Sequence, residues 1–428
     1  MERIKLNSIE KLQNELTYSF EVSEGLKKYF TGKPFVIKYP ECIENVPDSV
    51  LSIPFVVNVL PIIWLTHSEL QLNELDQDFF DAIPEIQEGY QTMYPESEFK
   101  GEITVGKVVA NSRNSRTAKS AILFSGGLDA VTTMLRHLEE SPLLVSIWGA
   151  DIEYDNEDGW KTAGKSMKEA ADLFGLDIVT VRSAFRQFDS ELHLDIDFYT
   201  QLKRGWWYGV KHGIGIIGHV APLAWLRGLS TVYIASSNNV RDGVVRCASD
   251  PKIDNHVAYC GCKVIHDNFE STRQDKTKYL IQYRKDHNLD HIPLHVCWES
   301  PTGENCSHCE KCYRTMVGFW IEGEDPVHYG FKYDRSVFKD IYKKLALNQK
   351  KFSAPKEWTY MKEALNSNWD HLSDKKYRNG LKWMRTYNFF DVNSNSCKRK
   401  NDRLISIKTR LINGLPGLYK GYKKLRGK

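Results

Sequence analysis

What most restricts the fold of this chain is a change of rhythm at Lys119. From there, short apolar runs alternate with longer amphipathic stretches. Ala121–Phe124, Leu143–Trp148, Leu176–Val181 and Thr231–Ala235 read as strands, with helical stretches at Asp129–Glu139 and near Trp160–Phe174 between them. Strands spaced by helical segments of roughly 10–20 residues imply βαβ units. The expected fold class over 118–330 is therefore α/β, a parallel sheet with helices on both faces.

The flanks have different patterns. Residues 1–115 carry apolar, β-branched runs such as Phe35–Lys38 and Ile53–Leu65, read as strands, and a helical stretch from Asp76 to Tyr94. They are expected to form an N-terminal, β-rich accessory domain, with the breaker-rich Asn111–Arg116 as linker. Beyond Arg335 come Lys- and Trp-rich helical stretches, a Ser/Asn cluster at Asn393–Ser396 and a basic amphipathic end, read together as a basic helical C-terminal region, 335–428. Three units suit 428 residues.

With 41% apolar and 26% charged residues, the chain has the balance of a soluble globular protein rather than a disordered one. The opening MERIKLNSIEKLQNELTYSF lacks the apolar run of a signal peptide, so a cytoplasmic location is expected. The most apolar stretch, Gly213–Leu226, carries His219 and Pro222 and is shorter than the roughly 20 residues a membrane span needs. It reads as a buried core helix. The net charge of +3 hides an asymmetry: residues 335–428 hold 24 Lys/Arg against 7 Asp/Glu, or +17, which leaves 34 against 48, or −14, for residues 1–334. The cationic segment 398–428 suits an anionic membrane surface, a nucleic acid or an acidic protein, or packing on the acidic body of its own chain.

Ser125-Gly126-Gly127-Leu128-Asp129 stands between the first of these strands and its helix. Two glycines let the backbone turn sharply and bring its N–H groups close to a phosphate, and the helix that follows directs its positive end to the same place. Ser125 adds a hydroxyl. Asp129 can cap the loop amides or ligate a nucleotide-borne Mg2+. Arg241, Arg246 and Lys263 are candidate phosphate clamps.

Four of the nine cysteines crowd together. Cys297, Cys306, Cys309 and Cys312 give C-x8-C-x2-C-x2-C, a spacing suited to a tetrahedral thiolate shell around Zn2+, with an iron–sulfur cluster as the rival occupant. A closed four-thiolate shell leaves no open position for water, so the site is expected to staple the fold. Lys311 and Arg314 would offset its negative charge. Cys260 and Cys262 read as ordinary loop thiols.

The loop is neither a Walker motif nor a GxGxxG motif. It resembles the SGGxDS signature of the PP-loop ATP pyrophosphatases, with Ala130 in the place of the final Ser and Thr132 and Thr133 nearby as possible substitutes. Together with the cysteine spacing and Arg314, the 118–320 core is similar to the 7-cyano-7-deazaguanine synthase (QueC) family. Its flanking units look more like those of the QueC-like proteins of bacterial anti-phage islands. The resemblance implies an adenine nucleotide alpha-hydrolase-like fold, and ATP, Mg2+ and Zn2+ as cofactors. It implies adenylation of a small carboxylate such as 7-carboxy-7-deazaguanine, followed by amide or nitrile formation or transfer to a macromolecular acceptor. By position, Ile234–Asn238 resembles the strand and loop beside the family's substrate pocket, which would place Asn238 and Asp250 near substrate. Trp148-Gly149-Ala150-Asp151 replaces the family's base-recognition segment. As bare residues, Asp151, Asn238 and Asp250 also read as turn and cap positions. Two other classes stay open: a PP-loop amidotransferase of surface-polysaccharide synthesis, and a catalytically silent nucleotide-binding scaffold.

Overall fold

The computed structural model describes residues 1–111, 119–297, 299–300, 302–347 and 354–390. Most of the expected linker and the whole 398–428 segment lie outside the described residues.

Eleven strands make one sheet among the described residues: β1 (Arg3–Leu12), β2 (Glu15–Val22), β3 (Phe35–Lys38), β4 (Glu69–Asp76), β5 (Glu102–Val109), β6 (Lys119–Leu123), β7 (Leu143–Trp148), β8 (Ile178–Ser183), β9 (Leu229–Ala235), β10 (Ala258–Tyr259) and β11 (Cys262–Asp267). Their order is β10-β11-β9-β6-β7-β8-β3-β2-β1-β4-β5. The run β11-β9-β6-β7-β8 is parallel throughout. Its first strand in the chain, β6, is central; the next two strands lie to one side of it and the last two to the other. This is a Rossmann-like order, with a topological switch point between β6 and β9. The α/β reading with a large, mostly parallel sheet holds.

The division near residue 115 is not where the sequence places it. β3 pairs antiparallel with β8, Ile37 opposite Ser183, so the first five strands continue the same sheet. The chain parts instead into a compact unit of Met1–Ser307 with Asp325–Lys332, and a second of His308–Glu324 with Tyr333–Lys428. The described part of the second unit is helical, built on Glu310–Ile321 and Pro355–Asn368. In it Trp320 packs against Tyr333, Phe338 and Tyr377.

Ile53–Leu65, expected as a strand, is a helix, Ile53–Thr66, with Pro54 in its first turn and Pro61 inside. All but its last residue are buried. A run apolar on every side carries no period, so length decides between strand and buried helix, and thirteen residues favour the helix. Gly213–Leu226 is helical and largely buried, as expected, although a 3-10 turn at Gly218–Val220 breaks it into two pieces. Gly218 allows the two apolar elements to meet, since a Cβ there would come within 2.5 Å of the Val57 side chain.

Under this contact lies a buried polar cluster. The Lys211 ammonium, 1% exposed, donates to Asp189 Oδ2 and to the Phe185 carbonyl, both at 2.5 Å. Burial pushes the Asp189 carboxyl up to about 6 in spite of its cationic partner. His219 sits between the Gly215 carbonyl (Nδ1, 2.6 Å) and Ser183 Oγ (Nε2, 2.7 Å). Burial lowers its imidazole to about 3, with the Gly215 bond opposing and Lys211 assisting.

The unfolded chain therefore takes a proton at His219 below pH 6.5 while the folded chain refuses it until about 3, so this residue costs stability as pH falls through that window. His219→Gln removes the titration. Its stability deficit relative to wild type is expected to narrow by about 1.4 kcal/mol per pH unit between about 6 and 3 in chemical denaturation. A deficit independent of pH would mean that the histidine is not held neutral.

Candidate functional site

β6 delivers its carboxyl end into the glycine loop. Phe124 N still bonds Val145 O across the sheet (2.9 Å), and Ser125, the next residue, is exposed. Gly126 then takes φ +72°, a left-handed conformation that a side chain would strain. A Cβ here would also stand 3.0 Å from Met167 and 3.2 Å from His295. The helix Leu128–Arg136 starts at Gly127 with no side-chain cap. Asp129 is thus not the cap the sequence allowed. The first amides of that helix point out of the sheet's carboxyl edge, where an anion can accept from them.

Asp129 instead meets two cations. Arg273 Nη1 donates to its Oδ2 at 2.8 Å, and Lys276 Nζ lies 3.4 Å from its Oδ1. Lys276 also donates to the Ser236 carbonyl just after β9 (2.5 Å), so its ammonium spans the switch point from β9 to the β6 loop. Both side chains are at least nine-tenths buried. They come from the first turn of the helix Arg273–Asp286, which a Thr272/Asp275 capping box opens. Cations there oppose the helix dipole, an arrangement with a local cost that a bound anion would offset. The sequence reading missed both residues. The signal was a basic residue inside the T-x-x-D cap, Arg273, and another directly after it, Lys276.

The other candidate residues divide. The Asn238 carbonyl accepts from Ser236 Oγ (2.6 Å), and its side chain bonds Tyr208 and Cys247. Asp250 caps the short helix Pro251–Asp254 through Lys252 N (2.9 Å), and burial raises its carboxyl. Asp151 is exposed in the turn after β7. Asp151 and Asn238 lie in loops that follow the parallel strands β7 and β9 at their carboxyl ends, the edge that carries the glycine loop, while Asp250 lies further along the chain, before β10. Thr132 and Thr133 do not stand in for the missing serine: both are buried, and their hydroxyls donate to the Leu128 carbonyl (2.6 Å) and Asp267 (2.8 Å). Arg246 is bound to Glu96 (2.6 and 2.7 Å) rather than left for a phosphate, while Arg241 and Lys263 are exposed.

The four cysteine sulfurs all lie within 4.8 Å of one another. Zinc–sulfur bonds of about 2.3 Å in a tetrahedron place sulfurs about 3.8 Å apart, so the set could hold a metal such as zinc after a small contraction. Cys297, Cys309 and Cys312 are buried and Cys306 is partly so. Cys309 caps the helix Glu310–Ile321, its Sγ accepting from Cys312 N at 3.4 Å, which favours the thiolate a metal requires. Arg314, expected to offset thiolate charge, is buried with Glu357 at 3.1 Å and Glu310 at 4.0 Å. Cys260 and Cys262 are buried thiols of the β10–β11 hairpin.

Comparison of the chain with protein-family models, curated proteins and solved structures gives no match. The chemistry therefore rests on the site alone. Its parts are a glycine turn at a helix N-terminus, one carboxylate, two buried cations and, separately, a cluster of four cysteines that could hold a metal. Among the described residues, no helix is long and apolar enough to cross a membrane.

Proposed function

We propose that the protein is an ATP-using enzyme of the PP-loop type that activates a carboxylate as its acyl-adenylate. The observation that carries this is the convergence of the Ser125–Leu128 cradle with Arg273 and Lys276 on Asp129 at the sheet's switch point. In the reaction a substrate carboxylate oxygen bonds the α-phosphorus of ATP, the bond from that phosphorus to the β-bridging oxygen breaks, and pyrophosphate leaves with the electron pair. The amides at Ser125–Leu128 and the two cations would neutralise the charge gathering on pyrophosphate. Mg2+, when bound with the nucleotide, adds charge neutralisation of the same kind, and Asp129 is the carboxylate that would hold it. The resemblance of the loop to SGGxDS and of the cysteine spacing to the QueC family favours a deazapurine acid as substrate. It also favours Zn2+ in the cysteine site, and a cytoplasmic enzyme whose 398–428 segment engages a macromolecular acceptor.

The test is ATP–pyrophosphate exchange with 7-carboxy-7-deazaguanine heading a panel of carboxylates. Wild type should release AMP and pyrophosphate. Asp129→Ala should lose exchange by about 10³-fold or more with an unchanged circular dichroism spectrum, and Arg273→Met by about 10²-fold. Appearance of ADP and phosphate, or an Asp129→Ala variant as active as wild type, would sink the reading.

A further inference from the structure

The thiolate cluster and the glycine loop share a strut. His295, two residues before Cys297, donates its backbone N–H to the Gly126 carbonyl at 2.7 Å. That carbonyl belongs to the left-handed residue on which the loop turns. Asn305, one residue before Cys306, brackets the same segment from both sides. Its Oδ1 accepts from Val296 N (2.9 Å), and its Nδ2 donates to the Leu294 carbonyl (2.8 Å) and, at 3.3 Å, to the Gly330 carbonyl. The neighbours of two of the cysteines are thus tied to each other, and His295 lies between the ties. The loop's other support is Met167, whose sulfur accepts from Ser146 Oγ at 3.3 Å while that hydroxyl bonds the Phe124 carbonyl at 2.7 Å.

We infer that metal binding at Cys297, Cys306, Cys309 and Cys312 is coupled to polyphosphate binding at Ser125–Leu128 through Asn305 and the backbone of His295. A bound ion fixes the positions of Cys297 and Cys306 relative to each other. The Asn305 bracket passes that constraint to His295, and the His295 N–H holds the Gly126 carbonyl so that the following amides face outward. His295 is a positioning residue through its N–H, not its ring. The inference rests on the reading of the loop as a phosphate site. Binding linkage is reciprocal, so polyphosphate must also tighten the hold on the metal.

Three measurements on the full zinc-loaded chain test it. Pyrophosphate should tighten zinc by about 5-fold or more, read as reduced zinc release at equilibrium with a chromophoric chelator. His295→Ala, which keeps the N–H, should preserve that effect, whereas His295→Pro and Asn305→Ala should abolish it while still retaining one zinc. Removing zinc with the chelator, with no phosphate ligand present, should raise hydrogen exchange at amides 126–131 by about tenfold. Unchanged exchange overturns the coupling whatever the loop binds. If pyrophosphate binds wild type in calorimetry and zinc release does not respond, the coupling also falls and the phosphate reading stands. If exchange responds to zinc and pyrophosphate does not bind, the strut exists but the phosphate reading and the coupling to it fall together.

Discussion

Replacing any one of Cys297, Cys306, Cys309 or Cys312 by Ser is expected to release the metal and lower the melting temperature by more than about 10 °C. Zinc bound by thiolates in small domains supplies roughly 10–16 kcal/mol of apparent binding energy, whereas a whole domain is stable by only about 5–15 kcal/mol. Even a fraction of the first figure therefore dominates the second. Metal analysis should find one zinc per chain in wild type and almost none in each variant. Cys42→Ser is the control, since Cys42 is exposed and outside the cluster. Iron in place of zinc, or a cysteine variant that melts with wild type, would show that no zinc staple holds this fold.

The second large effect concerns Lys211 and Asp189. Lys211→Met should cost about 3–5 kcal/mol, because it leaves the Asp189 carboxylate, 0% exposed, without its bonded cation and with only Arg186 acting on it through space. Asp189 must then take up a proton to stay buried, so its titration should move above its present value of about 6. The double variant Lys211→Met/Asp189→Leu should recover most of the loss, since neither half of a charge pair is then stranded. Urea midpoints for the two singles and the double give the coupling directly. A Lys211→Met variant with the wild-type midpoint would show that the ammonium contributes nothing there.

How much of this was legible in the chain depended on the distance over which each signal acts. Phe35–Lys38 and Leu143–Trp148 fall where they were read, because a short apolar run bounded by turn residues is a local signal. The cysteine cluster was legible for the same reason: its spacing is written within sixteen residues. Ile53–Leu65 was misread because its valines and isoleucines favour a strand locally, although the length of the fully buried run favours the helix it forms. Arg273 was missed because its partner Asp129 lies 144 residues away and only the fold brings them together. The division expected near residue 115 failed on a similar ground. A polar stretch in the sequence does not stop strands on either side of it from pairing, and β3 adds to β8.

The β3–β8 junction also sets a clock on synthesis. Ile37 pairs with Ser183, 146 positions later in the chain. At roughly 5–20 residues per second on the ribosome, the β3 edge waits about 7–30 s for its partner to be made. Through that interval the nascent chain shows an unpaired strand edge over a cluster of Phe35, Phe55 and Tyr18, the kind of surface that recruits chaperones or pairs with a neighbouring nascent chain. Slower decoding between residues 38 and 178 lengthens the exposure. Folded yield in the cell is therefore expected to depend on translation speed across that stretch as well as on the stability of the finished sheet.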